Sequence, residues 1–147
     1  MAPTKVARVT GSGKRRGGGH VAHALAERGY ALIVHYHTSA NDAAGIVSDF
    51  HARGVEAVAI QADLTDEQSV RALIEQTLAH YKRIDLLVNC AAAWKSKRLE
   101  AVTAADVRPY FETNTLSTSL CSQQAGLGLA RKAGGGCSVM LCVLAGA

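Results

Sequence analysis

Short apolar runs alternate along the chain with stretches in which apolar residues return every three or four positions. The runs are Val6 to Val9, Ala31 to Tyr36, Ala57 to Ile60, Ile84 to Val88 and Cys137 to Val143. Runs that are apolar almost throughout predict strands buried on both faces, as in a parallel sheet. The spacing between them predicts helices. One runs to Arg28-Gly29 with Val21, Ala22 and Leu25 on one face. A second spans about 40–53 with Val47 and Phe50 inward and Gly54 as its stop. The clearest carries Val70, Leu73, Ile74, Thr77, Leu78 and Tyr81, behind Thr65-x-x-Gln68 as a predicted capping box. Thr103 is the expected cap of a helix carrying Val107 and Phe111. Helical pattern resumes from Asn114 to about Lys132 and breaks at Gly134-Gly135-Gly136.

Strands that alternate with helices, without an internal repeat or a long linker, predict one α/β domain. It should be a doubly wound, Rossmann-type parallel sheet of order 3-2-1-4-5, with a ligand lying across the carboxyl ends of strands 1 and 4. A length of 147 residues is enough to bury a core.

The first strand breaks into glycines before the first helix begins. Such a turn lets backbone N–H groups approach an anion, and the helix N-terminus adds partial positive charge. Lys14, Arg15 and Arg16 add three cations to the same turn. Gly18 and Gly19 fall in the first helical turn, each at a cost of about 1 kcal/mol relative to Ala. A phosphate-loop NTPase is excluded by spacing: Arg8 stands where the first glycine belongs, and Arg15 where a Ser or Thr must hold Mg²⁺. The end of the second strand reads His35-Tyr36-His37-Thr38-Ser39, and no Asp or Glu occurs between Glu27 and Asp42. A carboxylate there would favour the ribose hydroxyls of NAD, whereas a 2′-phosphate needs donors. The expected cofactor is therefore NADP(H).

Charge and composition narrow the classes further. A net charge of +4 suits an anionic ligand and lacks the basic stripe of a nucleic-acid binder; Lys14-Arg15-Arg16 and Lys95-Ser96-Lys97-Arg98 are short clusters. Cys90, Cys121, Cys137 and Cys142 form no C-x-x-C pair, which predicts a reduced, cytoplasmic setting. No run approaches a membrane span, and MAPTKVARV has no signal-peptide core. His20/His23 and His35/His37 lack a third ligand nearby, so no metal is expected.

Thr10-Gly11-Ser12-Gly13-Lys14-Arg15-Arg16-Gly17 is a TGxxxRxG string. It resembles the TGxxxGxG signature of the short-chain dehydrogenases/reductases, in the Arg-bearing form of their pteridine reductase branch. The resemblance covers essentially the whole chain. It implies that Gly11, Ser12, Lys14, Arg15, Arg16 and Gly17 hold the cofactor phosphates, and that Tyr36, His37, Thr38 and Ser39 meet the 2′-phosphate. Thr38 stands where that branch usually has Arg. The resemblance further places Asp63-Leu64 at the adenine and matches Asn89-Cys90-Ala91-Ala92 to an NNAG motif, in which Asn89, Ala91 and Ala92 line the cofactor and Asn89 bonds across strands. Trp94 matches an aromatic residue that stacks on a pterin. Asn114 matches a helix asparagine that shapes a proton-relay water site.

Hydride transfer to a carbonyl or imine needs a proton donor, in this superfamily the Tyr of Tyr-x-x-x-Lys. None of Tyr30, Tyr36, Tyr81 and Tyr110 has Lys four residues on, and Leu144 stands where Ser or Asp would be sought. The expectation is the cofactor-binding part of an NADP(H)-dependent reductase of pterins or carbonyl compounds, truncated before its acid, with an open sheet edge that invites self-association. The alternative is a non-catalytic NADP(H)-binding module or inactive fragment.

Overall fold

A computed structural model describes residues 5–129 and 137–140. The chain runs β1 (Val6–Val9), α1 (Gly17–Ala26), β2 (Ala31–Tyr36), α2 (Ala40–Ala52), β3 (Ala57–Gln61), α3 (Glu67–Tyr81) and β4 (Leu86–Asn89). A short 3₁₀ turn at Leu99–Ala101, α4 (Ala104–Phe111), a π-helical turn (Glu112–Leu116), α5 (Ser117–Leu129) and β5 (Cys137–Met140) follow. All strand pairs are parallel and the order is β3-β2-β1-β4-β5, the expected doubly wound sheet.

Strand alternation divides the core between the two faces. Ala7, Val9, Leu32 and Val34 pack with Ala22 of α1 and with Ala43, Ile46 and Phe50 of α2. Val6, Ile33 and Leu87 pack with Val70, Leu73 and Ile74 of α3 and with Cys121 and Ala125 of α5. Central strands covered on both faces explain why these runs read as continuously apolar. Arg8 is the exception, lying fully buried in the middle of β1.

Two local expectations change. The predicted capping box at Thr65 does not form, because Asp63 Oδ1 accepts from both the N–H and the hydroxyl of Thr65 at 2.9 and 2.7 Å. Asp66 caps α3 instead, accepting from the Ser69 N–H at 2.7 Å. Helix α1 ends at Ala26, short of Arg28, and the chain reverses through Gly29 at φ 79°. Thr103 does cap α4, with Asp106 completing its box, yet Val107 and Phe111 are more than half exposed. Gly54, at φ 73°, ends α2 as expected. Leu144 and the rest of the fifth apolar run beyond Met140 lie outside the described residues.

Candidate functional site: a glycine turn at the carboxyl ends of β1, β2 and β4

The turn after β1 is held from three sides. The Thr10 N–H donates to the Val88 carbonyl at 2.9 Å, and its Oγ1 accepts from the N–H groups of Cys90 and Ala91, both at 3.0 Å. Ser12 is buried and donates its hydroxyl to the Val9 carbonyl at 2.7 Å, so its side chain serves the turn and does not face a ligand. The Gly13 N–H donates to the His35 carbonyl at 3.0 Å, and a Cβ on Gly13 would lie 2.6 Å from that of Tyr36. Gly11 adopts φ 66°, and its added Cβ would meet the Ala91 Cα at 2.9 Å.

The close packing of turn against helix falls one residue later than the motif spacing implies. A Cβ on Gly17 meets nothing, whereas one on Gly18 would sit 2.7 Å from the Gly11 carbonyl oxygen and one on Gly19 would collide with that of Lys14. Gly18 and Gly19 are buried where the turn folds back on α1, which explains two glycines in a helical first turn. The N–H groups of that turn have no intrahelical acceptor. No side chain among the described residues caps them, and no acidic residue stands in the first turn. An anion fits there in charge and in shape.

His35 is the principal residue that motif reasoning overlooks. Its Nδ1 accepts from the Gly11 N–H at 3.0 Å and its Nε2 lies 3.0 Å from the Ala62 carbonyl, so the ring is neutral with its proton on Nε2. Burial pushes its pKa down to about 4, with Arg8 and His37 adding to the depression. The unfolded chain therefore binds the proton more readily. Stability should be intact above about pH 6.5 and fall by about 3 kcal/mol as the pH drops through 4. Urea titrations of wild type and His35→Phe across this range test it; an equal pH slope in both would sink the assignment. The sequence signal was a polar residue inside an apolar run.

The fold brings carboxylates to a corner that the sequence read as free of them. Arg15 pairs with Asp49 of α2, both partly exposed. Asp42 joins Lys14, Arg15 and Arg16 around an open cleft of about 470 Å³ beside the turn. Beyond β2, His37 and Thr38 are exposed, Tyr36 and Ser39 half-buried, and His37 Nε2 is 3.9 Å from Asp63. The Thr65 hydrogen bonds, aided by His37, hold Asp63 below the usual carboxylate range. Leu64 is buried in the core, so only its backbone can face a ligand. The side chains of Lys14 and Arg16 have no acidic partner among the described residues.

At the end of β4, the side chain of Asn89 bonds to a helix and, among the described residues, to no other strand. Its Nδ2 donates to Ser122 of α5 at 3.2 Å, and its buried Oδ1 has no donor among the described residues. Ala91 is half-buried and Ala92 exposed. Asn114, in the π-helical turn, clamps the following loop: its Oδ1 accepts from the Ala93 N–H at 2.8 Å and its Nδ2 donates to the Ala93 carbonyl at 3.0 Å. The clamp sits directly before Trp94, whose side chain is 69% exposed. Cys90 and Cys121 are free thiols, and burial pushes Cys90 up to about 11. Among the described residues no group of three His, Cys, Asp or Glu could hold a metal, and no helix is long and apolar enough to cross a membrane.

A parallel sheet of this order, with a glycine turn and uncapped helix at its switch point, is the Rossmann-type doubly wound α/β fold. The chain belongs to the short-chain dehydrogenase family, whose model matches residues 5–147. It is 38% identical over 121 residues to a hydroxynaphthalene reductase of Aspergillus fumigatus, covering 82% of this chain and 44% of that protein. Acetoin dehydrogenase from Enterobacter cloacae superimposes with a TM-score of 0.85 at 34% identity, over 95% of this chain and 55% of that one. A short chain dehydrogenase from Burkholderia cenocepacia in complex with NADP gives a TM-score of 0.79 at 29% identity, over 87% and 52%. The chain thus spans about half the length of the relatives it matches.

Proposed function

We propose that these residues form the cofactor-binding part of an NADP(H)-dependent reductase acting on a carbonyl compound. The carrying observation is the uncapped, acid-free first turn of α1 behind a turn whose glycines leave no room for a Cβ. Gly17, Gly18 and Gly19 would hold the pyrophosphate through backbone N–H groups; Lys14, Arg15 and Arg16, with His37, Thr38 and Ser39, would receive the 2′-phosphate. Asp63 and the Leu64 backbone would meet the adenine, while Asn89, Ala91 and Ala92 would pass beneath the nicotinamide half. When bound, the nicotinamide supplies hydride to the substrate. Asn114 fixes the loop at Ala93 and with it the approach to Trp94. The names of the relatives, a hydroxynaphthalene reductase and an acetoin dehydrogenase, favour a carbonyl group as acceptor. The exposure of Trp94 supports a second reading, a pterin or other flat heterocycle stacked on the indole. Free thiols at Cys90 and Cys121 accord with a cytoplasmic setting, and an assembly with further copies of the chain is part of the proposal.

The test is a fluorescence titration of the chain with NADPH and NADH. NADPH should bind more tightly, and Arg15→Ala should weaken NADPH by about tenfold while leaving NADH nearly unchanged. Asp49→Asn should act in the opposite direction, strengthening NADPH about threefold by freeing Arg15 from its exposed pair. Equal affinity for both nucleotides in all three proteins would remove the 2′-phosphate assignment. Saturable binding without turnover of a ketone or pterin would favour the non-catalytic module for the 147-residue chain.

A further inference from the structure

We propose that His35 is a positioning residue for cofactor binding: its ring latches the first glycine of the phosphate turn to the end of β3, holding the pyrophosphate and adenosine ends of the site in one geometry. The proposal rests on the cofactor reading of the turn. Three bonds carry it. The Gly11 N–H donates to Nδ1 and the Gly13 N–H to the His35 carbonyl, so both glycines on either side of Ser12 hang from one residue of β2. On the far side Nε2–H donates to Ala62, the residue before Asp63.

The ring is only 3% exposed, so water does not replace these partners. Only the neutral tautomer with its proton on Nε2 satisfies both ends, because a protonated Nδ1 would oppose the Gly11 N–H donor to donor. Gly11 has little freedom to find another acceptor. Its φ of 66° and the backbone of Ala91 fix its orientation. Without the ring the Gly11 N–H loses its acceptor, and any shift of that peptide moves the Gly18 backbone packed on its carbonyl. The charged and titratable groups facing the ring are Arg8 from β1 and His37 from the end of β2, both of which oppose its protonation.

Two substitutions separate the two ends of the latch. In His35→Asn the side-chain oxygen takes the place of Nδ1 and can accept from Gly11, without reaching Ala62. In His35→Gln the amide nitrogen takes the place of Nε2 and can donate to Ala62, leaving Gly11 unserved. Each variant loses one buried hydrogen bond, so a purely structural role predicts similar losses of stability and of affinity in both. The latch predicts a split. Amide hydrogen exchange at Gly11, measured on the 147-residue chain without nucleotide, should stay slow in wild type and His35→Asn and become fast in His35→Gln. The NADPH dissociation constant should stay within about threefold of wild type in His35→Asn and rise by about tenfold or more in His35→Gln. Equal affinities in Asn and Gln variants, or fast Gly11 exchange in His35→Gln with unchanged affinity, would overturn the positioning role. Protected Gly11 in a wild type that binds neither nucleotide would instead overturn the cofactor reading, and the role of the latch in binding with it.

Discussion

Arg8→Leu should raise the stability of this protein by about 3 kcal/mol, about 10 °C in unfolding midpoint for a chain of this size. Arg8 lies at the centre of β1, between β2 and β4, with no exposure and, among the described residues, no hydrogen-bond partner for Nε or either terminal nitrogen. Burial lowers its pKa to about 10, so the guanidinium still carries its charge at neutral pH, and a depression of that size corresponds to about 3 kcal/mol. The cost should be constant below about pH 10 and ease only above it, since the unfolded chain then holds the proton more tightly. Its surroundings include Cys121 of α5, whose thiol burial itself pushes up, and neutral His35, and among the described residues no carboxylate pairs with it. Leucine fills much of the same space without a charge. Arg8→Ala should gain less, because it leaves a cavity behind. Calorimetry on the three proteins decides the matter. An unchanged or lowered midpoint for Arg8→Leu would mean that the guanidinium reaches a partner or water.

Gly18→Ala and Gly19→Ala should each destabilise the chain by about 2 kcal/mol or more and weaken NADPH binding by more than about tenfold, whereas Gly17→Ala should do neither. The added methyl at Gly18 would stand 2.7 Å from the Gly11 carbonyl oxygen, and at Gly19 it would meet that of Lys14. Both obstacles are backbone, so relief requires the turn to lift away from α1, which opens the anion cradle. At Gly17 the space is empty, and Ala is the better helix former. Denaturant midpoints and nucleotide titrations on the three variants give the comparison. Tolerance of Ala at Gly18 together with damage at Gly17 would restore the motif spacing TGxxxRxG as the physical one.

Much of the fold was legible because strand and helix periods report which faces are buried. β1 and β2 lie where the apolar runs predict them, and Val70, Leu73, Ile74 and Thr77 face the core as their spacing requires. The glycine turn was legible because its pattern is local: glycines, then a helix start. Its register was not. Which glycines are crowded depends on Gly11 and Lys14 folding back over α1, and the sequence string does not contain that distance.

Sequence alone determined the alternation of strands and helices, the doubly wound sheet, and the place of the glycine turn, since each follows from short-range pattern. Tertiary structure decided the partners. It joined Gly11 to His35, Arg15 to Asp49, Thr10 to Cys90 and Ala91, and Asn114 to Ala93, across separations of 21 to 81 residues. It also buried Arg8 without a counter-ion among the described residues and left Val107 and Phe111 facing outward. A side chain's period tells which way it points; only the packing of the other elements tells what it meets there.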